Sequence, residues 1–199
     1  MDDLPQLNRE FFEILALREL RKVGLEVGAL RLHRRTTLPE PERGYLLELV
    51  GVVSRGNWRA SVLIACRRQD GPVGKVAVDA CNEHLQEAKV EAAILFGAPS
   101  FAADALRAAD AGGVVLLRVT DGRTAFDTSG WGTPGHYPAW LPAYCAQLVG
   151  RDAFGQIQYR LLEAGQGDLI VSGLQRKGAE HGAGSTTAGR NGPAPGVGG

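Results

Sequence analysis

Apolar and polar residues fall into blocks along the chain, and the blocks predict elements of two periods. Between Asn8 and Val23, Phe11, Leu15 and Leu20 recur at helical spacing, with Asn8 as the cap and Gly24 as the stop. Val27–Leu32 reads as a short strand leading into His33-Arg34-Arg35 and a loop through Pro39 and Pro41. Tyr45–Val53 and Ala60–Cys66 are two apolar runs on either side of Gly56-Asn57. This predicts a hairpin, because glycine and asparagine reach the positive φ of a tight turn. After a turn at Asp70-Gly71-Pro72, a helix begins near Val73, with Val76, Ala77, Ala80, Cys81, His84 and Leu85 at helical spacing. Ala92–Phe96 and Val114–Val119 read as buried strands around a helix at Phe101–Ala111 that Gly112-Gly113 closes. Strand, helix and strand in that order imply a right-handed parallel crossover.

Beyond Thr120 the pattern changes. Asp121–Pro142 is rich in Gly, Pro and aromatics and reads as a loop. Its Trp131, His136, Tyr137 and Trp140 must pack on something or form a sticky patch. Pro138–Val149 is expected to hold a short helix, and Phe154–Leu161 with Leu169-Ile170-Val171 a hairpin. From Lys177 to Gly199 the chain has no apolar periodicity and reads as a disordered tail. The expected organisation is a domain over residues 1–120, an extension packed on it over 121–176, and a tail over 177–199.

Composition narrows the function classes. With 44% hydrophobic and 22% charged residues the chain can build a core. Its 22 basic and 22 acidic side chains cancel, which denies the broad basic footprint of an avid nucleic-acid binder but leaves room for local patches. Three scattered cysteines and no Cys-x-x-Cys pair indicate neither a disulfide framework nor a zinc site. Cys81 and His84 have metal-ligand spacing, but without nearby acids a partly buried structural histidine is the better reading. No apolar run reaches membrane-spanning length and the N-terminus is unlike a secretory signal, so a cytoplasmic protein with no membrane partner is expected. A phosphate loop, a Gly-x-Ser-x-Gly elbow and a dinucleotide fingerprint are all missing.

The chemistry concentrates in the predicted hairpin. Glu48 interrupts its first apolar run and the second ends in Cys66-Arg67-Arg68, so an acid and a base meet near a strand end. Here the sequence resembles the Mrr-type branch of the restriction-endonuclease-like (PD-(D/E)XK) nucleases. Glu48-Leu49-Val50-Gly51 stands where that family has an Asp followed by an apolar pair and a small residue. Ala65-Cys66-Arg67 stands where Glu-Cys-Lys or Gln-Cys-Lys is found. The opening helix with Phe11-Phe12-Glu13, and the strand, Ala-rich helix and strand of residues 92–119, continue the resemblance over about Glu10 to Val119.

The resemblance implies an α/β fold, a restriction-endonuclease-like mixed sheet flanked by helices on both faces. It implies Glu48, Arg67 and Glu13 as site residues, and Glu48 as ligand of a magnesium ion if the site is active. Ala65 offers no ligand, and Arg67 cannot serve as a base because a guanidinium stays protonated in proteins. Either the site is inactive, with Glu48 and Arg67 forming a partly buried ion pair, or ligands have moved to Glu13, Asp79 or Glu83. Glu13 also has an ordinary reading, as a helix acid favoured by the macrodipole. Arg34, Arg35 and Arg68 are the candidate nucleic-acid contacts, which makes DNA the expected partner. A module that uses Trp131–Tyr144 to meet a protein and binds no nucleic acid is the alternative from another class. The oligomeric state is not readable.

Overall fold

The computed structural model describes residues 7–181, with side chains through Gln175. Seven strands form one mixed sheet in which spatial order follows chain order. β1 (Glu26–Leu38), β2 (Gly44–Arg55) and β3 (Trp58–Gln69) are an antiparallel meander. β4 (Ala92–Ala98) and β5 (Val114–Asp121) run parallel to β3, reached through α2 (Lys75–Ala88) and α3 (Ala103–Gly112). β6 (Tyr144–Arg151) and β7 (Ile157–Leu161) then add antiparallel strands beside β5. Helix α1 (Arg9–Lys22) and α5 (Gly167–His181) cover one face, where Phe12, Leu15, Leu47, Ile64, Phe96, Leu117 and Ile170 form a core. α2 and α3 cover the other over Leu63, Ala65, Val78, Leu95, Leu106 and Leu116. Among the described residues no helix is long and apolar enough to cross a membrane.

The central strands are apolar on both faces because both are covered, as parallel sheets require. The β2–β3 turn has Gly56 at φ +57, whereas Asn57 keeps a negative φ, so only the first central position uses the glycine freedom. Asn8 caps α1 as expected, its side chain accepting from the Phe11 amide at 2.9 Å.

Several boundaries differ from expectation. β1 runs on through His33–Arg35 to Leu38, so the basic cluster lies in a strand and not before a loop. An edge strand pairs on one side only and tolerates polar residues on both faces, which erases the apolar signal. The expected loop contains α4 (Gly122–Ser129), which Asp121 starts by accepting from the Thr124 amide at 2.9 Å. The expected helix at Pro138–Val149 is largely β6, because its apolar residues complete the sheet beside β5. β7 pairs with β6, and Leu169-Ile170-Val171 lie in α5, where Ile170 enters the α1-face core. The segment after residue 120 therefore widens the sheet. α5 continues through His181, past the expected start of the tail, and residues 182–199 lie outside the described residues.

Candidate functional site

Glu48 is the centre of the site, and the strand register puts it there. Leu47 and Leu49 turn toward α1, so the pleat turns Glu48 toward α2, at 1% exposure. A carboxylate so deep must have partners. His84, from the inward side of α2, places Nδ1 2.7 Å from Glu48 Oε1. Arg34, beside Glu48 in the β1–β2 register, places Nε 3.3 Å from Oε2. The two charges face each other there, but the alignment is too poor for a hydrogen bond, and both atoms remain otherwise unpartnered. Arg34 also reaches outward, Nη2 lying 2.6 Å from Glu87 Oε2 one turn beyond His84. His33 Nε2 lies 4.0 Å from the same carboxylate.

Directly opposite Glu48 in the register stands Ala65, fully buried. Two positions on, Arg67 shares that face but does not join Glu48. It donates Nε to Gln69 Oε1 at 2.5 Å, and Gln69 in turn donates to the Pro72 carbonyl at 2.9 Å. The expected Glu48–Arg67 ion pair is thus replaced by Glu48 with Arg34 and His84. A short carboxylate on β2 is reached more readily from an adjoining edge strand and a covering helix than from the far side of the Ala65 gap. Burial lowers the Arg67 pKa from its ordinary value, and the nearby Glu42 and Glu48 carboxylates oppose that shift. Beyond it, Gly97 pairs with Arg67 on one side and with Arg118 on the other. A Cβ at Gly97 would sit well inside van der Waals distance of the Phe101 ring, so only glycine lets that ring close over the strand.

The sheet divides the remaining sequence candidates into two sets. Glu13 is half-buried on α1, on the opposite face from Glu48, and its charge acts on the Cys66 thiol. Arg35 pairs with Leu47 on that same face, with Nη2 3.8 Å from Glu10 Oε1, and Arg68 lies there beside Tyr45. Glu48, Arg34 and Arg67 occupy the α2 face. The structure does not bring Glu13 to Glu48, nor Arg34 together with Arg35 and Arg68. Asp79 is engaged by Lys75, and Glu83 is exposed on α2. Arg55 serves the fold, bonding the Val23 and Gly165 carbonyls and Asp168.

Restriction-endonuclease-like domains generally use magnesium, so the donor set is the test. Magnesium takes hard oxygen ligands in near-octahedral geometry. Here one carboxylate is available, its two oxygens already faced by an imidazole and a guanidinium, with the Ala65 methyl directly across from it. Among the described residues no three His, Cys, Asp or Glu side chains converge to hold a metal. The residues present do not fit the ion.

His84, expected as a partly buried structural histidine, is 17% exposed and was not counted among the site residues. Its place on the apolar face of α2 signalled an inward side chain, but not that Glu48 would meet it. Glu19 was missed altogether. It is buried on α1, held by Arg18 and Lys22, and accepts from the Ala146 amide of β6 at 3.1 Å.

An α/β mixed sheet with an antiparallel hairpin feeding parallel strands is consistent with the restriction-endonuclease-like fold. The chain matches the restriction endonuclease family model of the Mrr catalytic-domain type over residues 4–122, and it belongs to that family. No curated protein and no solved structure matches it.

Proposed function

We propose that this chain is a nucleic-acid-binding member of the Mrr-type family that no longer hydrolyses phosphodiesters by the metal route. One observation carries this reading: Ala65 faces Glu48, whose two oxygens already face Arg34 and His84. A metal-dependent hydrolase needs converging acids to hold the ion that activates water and offsets phosphate charge. In this reading DNA is the partner. Arg34 on the α2 face and Arg35 and Arg68 on the α1 face are its candidate phosphate contacts.

The test is plasmid cleavage with magnesium and then manganese, which tolerates a poorer ligand set, run beside duplex binding over a range of salt. The expected result is no cleavage that depends on Glu48, and duplex binding that weakens with salt. Arg35→Ala should lessen the salt slope by about 0.9 for each phosphate that the arginine neutralises. Cleavage that disappears in Glu48→Ala would establish a working nuclease with relocated ligands and end this reading.

A further inference from the structure

Away from Glu48, where β5 ends and β6 begins, Trp131 and Trp140 stand at the mouth of a cleft of about 300 Å³. That is the lower end of the range for small-ligand sites. Its inner wall is almost wholly apolar, built by Ala125, Leu141, Pro142, Cys145 and Leu162. The two indoles are 6.4 Å apart and tilted by 48°, and they remain 42% and 69% exposed. Trp131 is braced edge-on by Phe126 at 6.1 Å, so part of this aromatic surface is held rigid.

One cation lines the mouth: Lys22, whose ammonium is paired with Glu19. Beside residues that neighbour the lining, Arg18 stays half-exposed while donating to the Tyr144 carbonyl, and Arg123 lies 5.2 Å over the Tyr137 ring. The acids nearby are largely occupied. Glu19 is buried between Arg18, Lys22 and the Ala146 amide, and Asp127 accepts the Tyr137 hydroxyl at 2.8 Å; Glu163 alone lines the cleft. Exposed π faces beside cations are what single-stranded nucleic acid requires, because each base offers a ring to stack and each phosphate a charge to neutralise. A row of protein side chains would need an extended groove. This cleft is short and suits one planar ring.

We propose that the cleft takes an unpaired base of single-stranded nucleic acid, with Trp140 as the stacking platform and Lys22, Arg18 and Arg123 as the phosphate-facing cations. The proposal rests on the nucleic-acid-binding reading above and narrows its ligand. The experiment uses the full chain and a labelled oligothymidylate of about a dozen residues, with anisotropy and tryptophan fluorescence as readouts. Trp140 is mostly exposed, so Trp140→Ala should fold, as circular dichroism will verify.

The expected result is binding with quenched fluorescence, weakened about tenfold in Trp140→Ala and largely restored in Trp140→Phe, with duplex binding unchanged. If duplex binds and oligothymidylate does not, this proposal falls and the broader reading stands. If neither binds, both fall. Oligothymidylate binding that Trp140→Ala leaves intact also overturns it. So does self-association that Trp140→Ala abolishes in a protein with no affinity for single strands, since the patch would then be a protein interface.

Discussion

Removing the Glu48 carboxylate tests the site most directly. In Glu48→Ala, Arg34 and His84 lose the anion they share, and a cavity opens beside Ala65. Breaking a fully buried pair from one side costs about 3–5 kcal/mol. Here the partners are not fully buried: the Arg34 side chain is 36% exposed and that of His84 17%, so both can regain water. That discount brings the loss to about 2 kcal/mol. With a denaturant slope of about 2 kcal/mol per molar, the urea midpoint should fall by about 1 M. Glu48→Gln keeps an acceptor for His84 Nδ1 and loses only the charge facing Arg34, so it should fall by about half as much. A double-mutant cycle with His84→Ala isolates the pair and should return a coupling of about 1 kcal/mol. An unmoved midpoint in Glu48→Ala, or a coupling of zero, would refute the account of Glu48 as a carboxylate balanced by these two partners.

Other consequences are simpler to state. Glu19→Ala strands Arg18, Lys22 and the Ala146 amide and should cost about 2–3 kcal/mol, read from chemical denaturation; a loss under about 0.5 kcal/mol would contradict the packing described. Gly97→Ala forces a methyl against the Phe101 ring and should cost about 1–3 kcal/mol in the same measurement, with a wild-type midpoint arguing against that close approach. Burial, then the neighbouring Glu19, pushes the Cys145 thiol up from an ordinary 9 to about 12, and burial raises Cys66 in the same direction. The native state therefore holds thiol protons that the unfolded chain releases. Stability is intact below pH 9 and declines as pH rises toward 12, by at most about 1.4 kcal/mol per pH unit for each thiol. A thiol reagent at pH 8 should leave native cysteines unmodified and label them after unfolding; rapid native labelling would contradict their burial.

Local chemistry in the chain was enough to determine the hairpin, the Asn8 cap and the buried strands over residues 92–119, because each rests on spacing or on a single turn residue. The altered frame of Glu48 and Ala65-Cys66-Arg67 came from the family resemblance, and the register sets Glu48 opposite Ala65 and not beside Arg67 as expected. The run of edge strand β1 beyond Leu32, the strand β6 and the partner of β7 were illegible, since β1 and β7 carry polar residues on both faces and the pairing of β6 with β5 spans a long segment of chain. Which charges meet was likewise beyond the sequence. Arg34 and Arg35 are adjacent in the chain yet lie on opposite sides of the sheet, because successive strand residues alternate faces. Only the packing of α2 against β2 brings His84 to Glu48, across 36 residues of chain. A buried carboxylate is balanced by whatever the fold places within hydrogen-bond reach, and that is a property of tertiary structure alone.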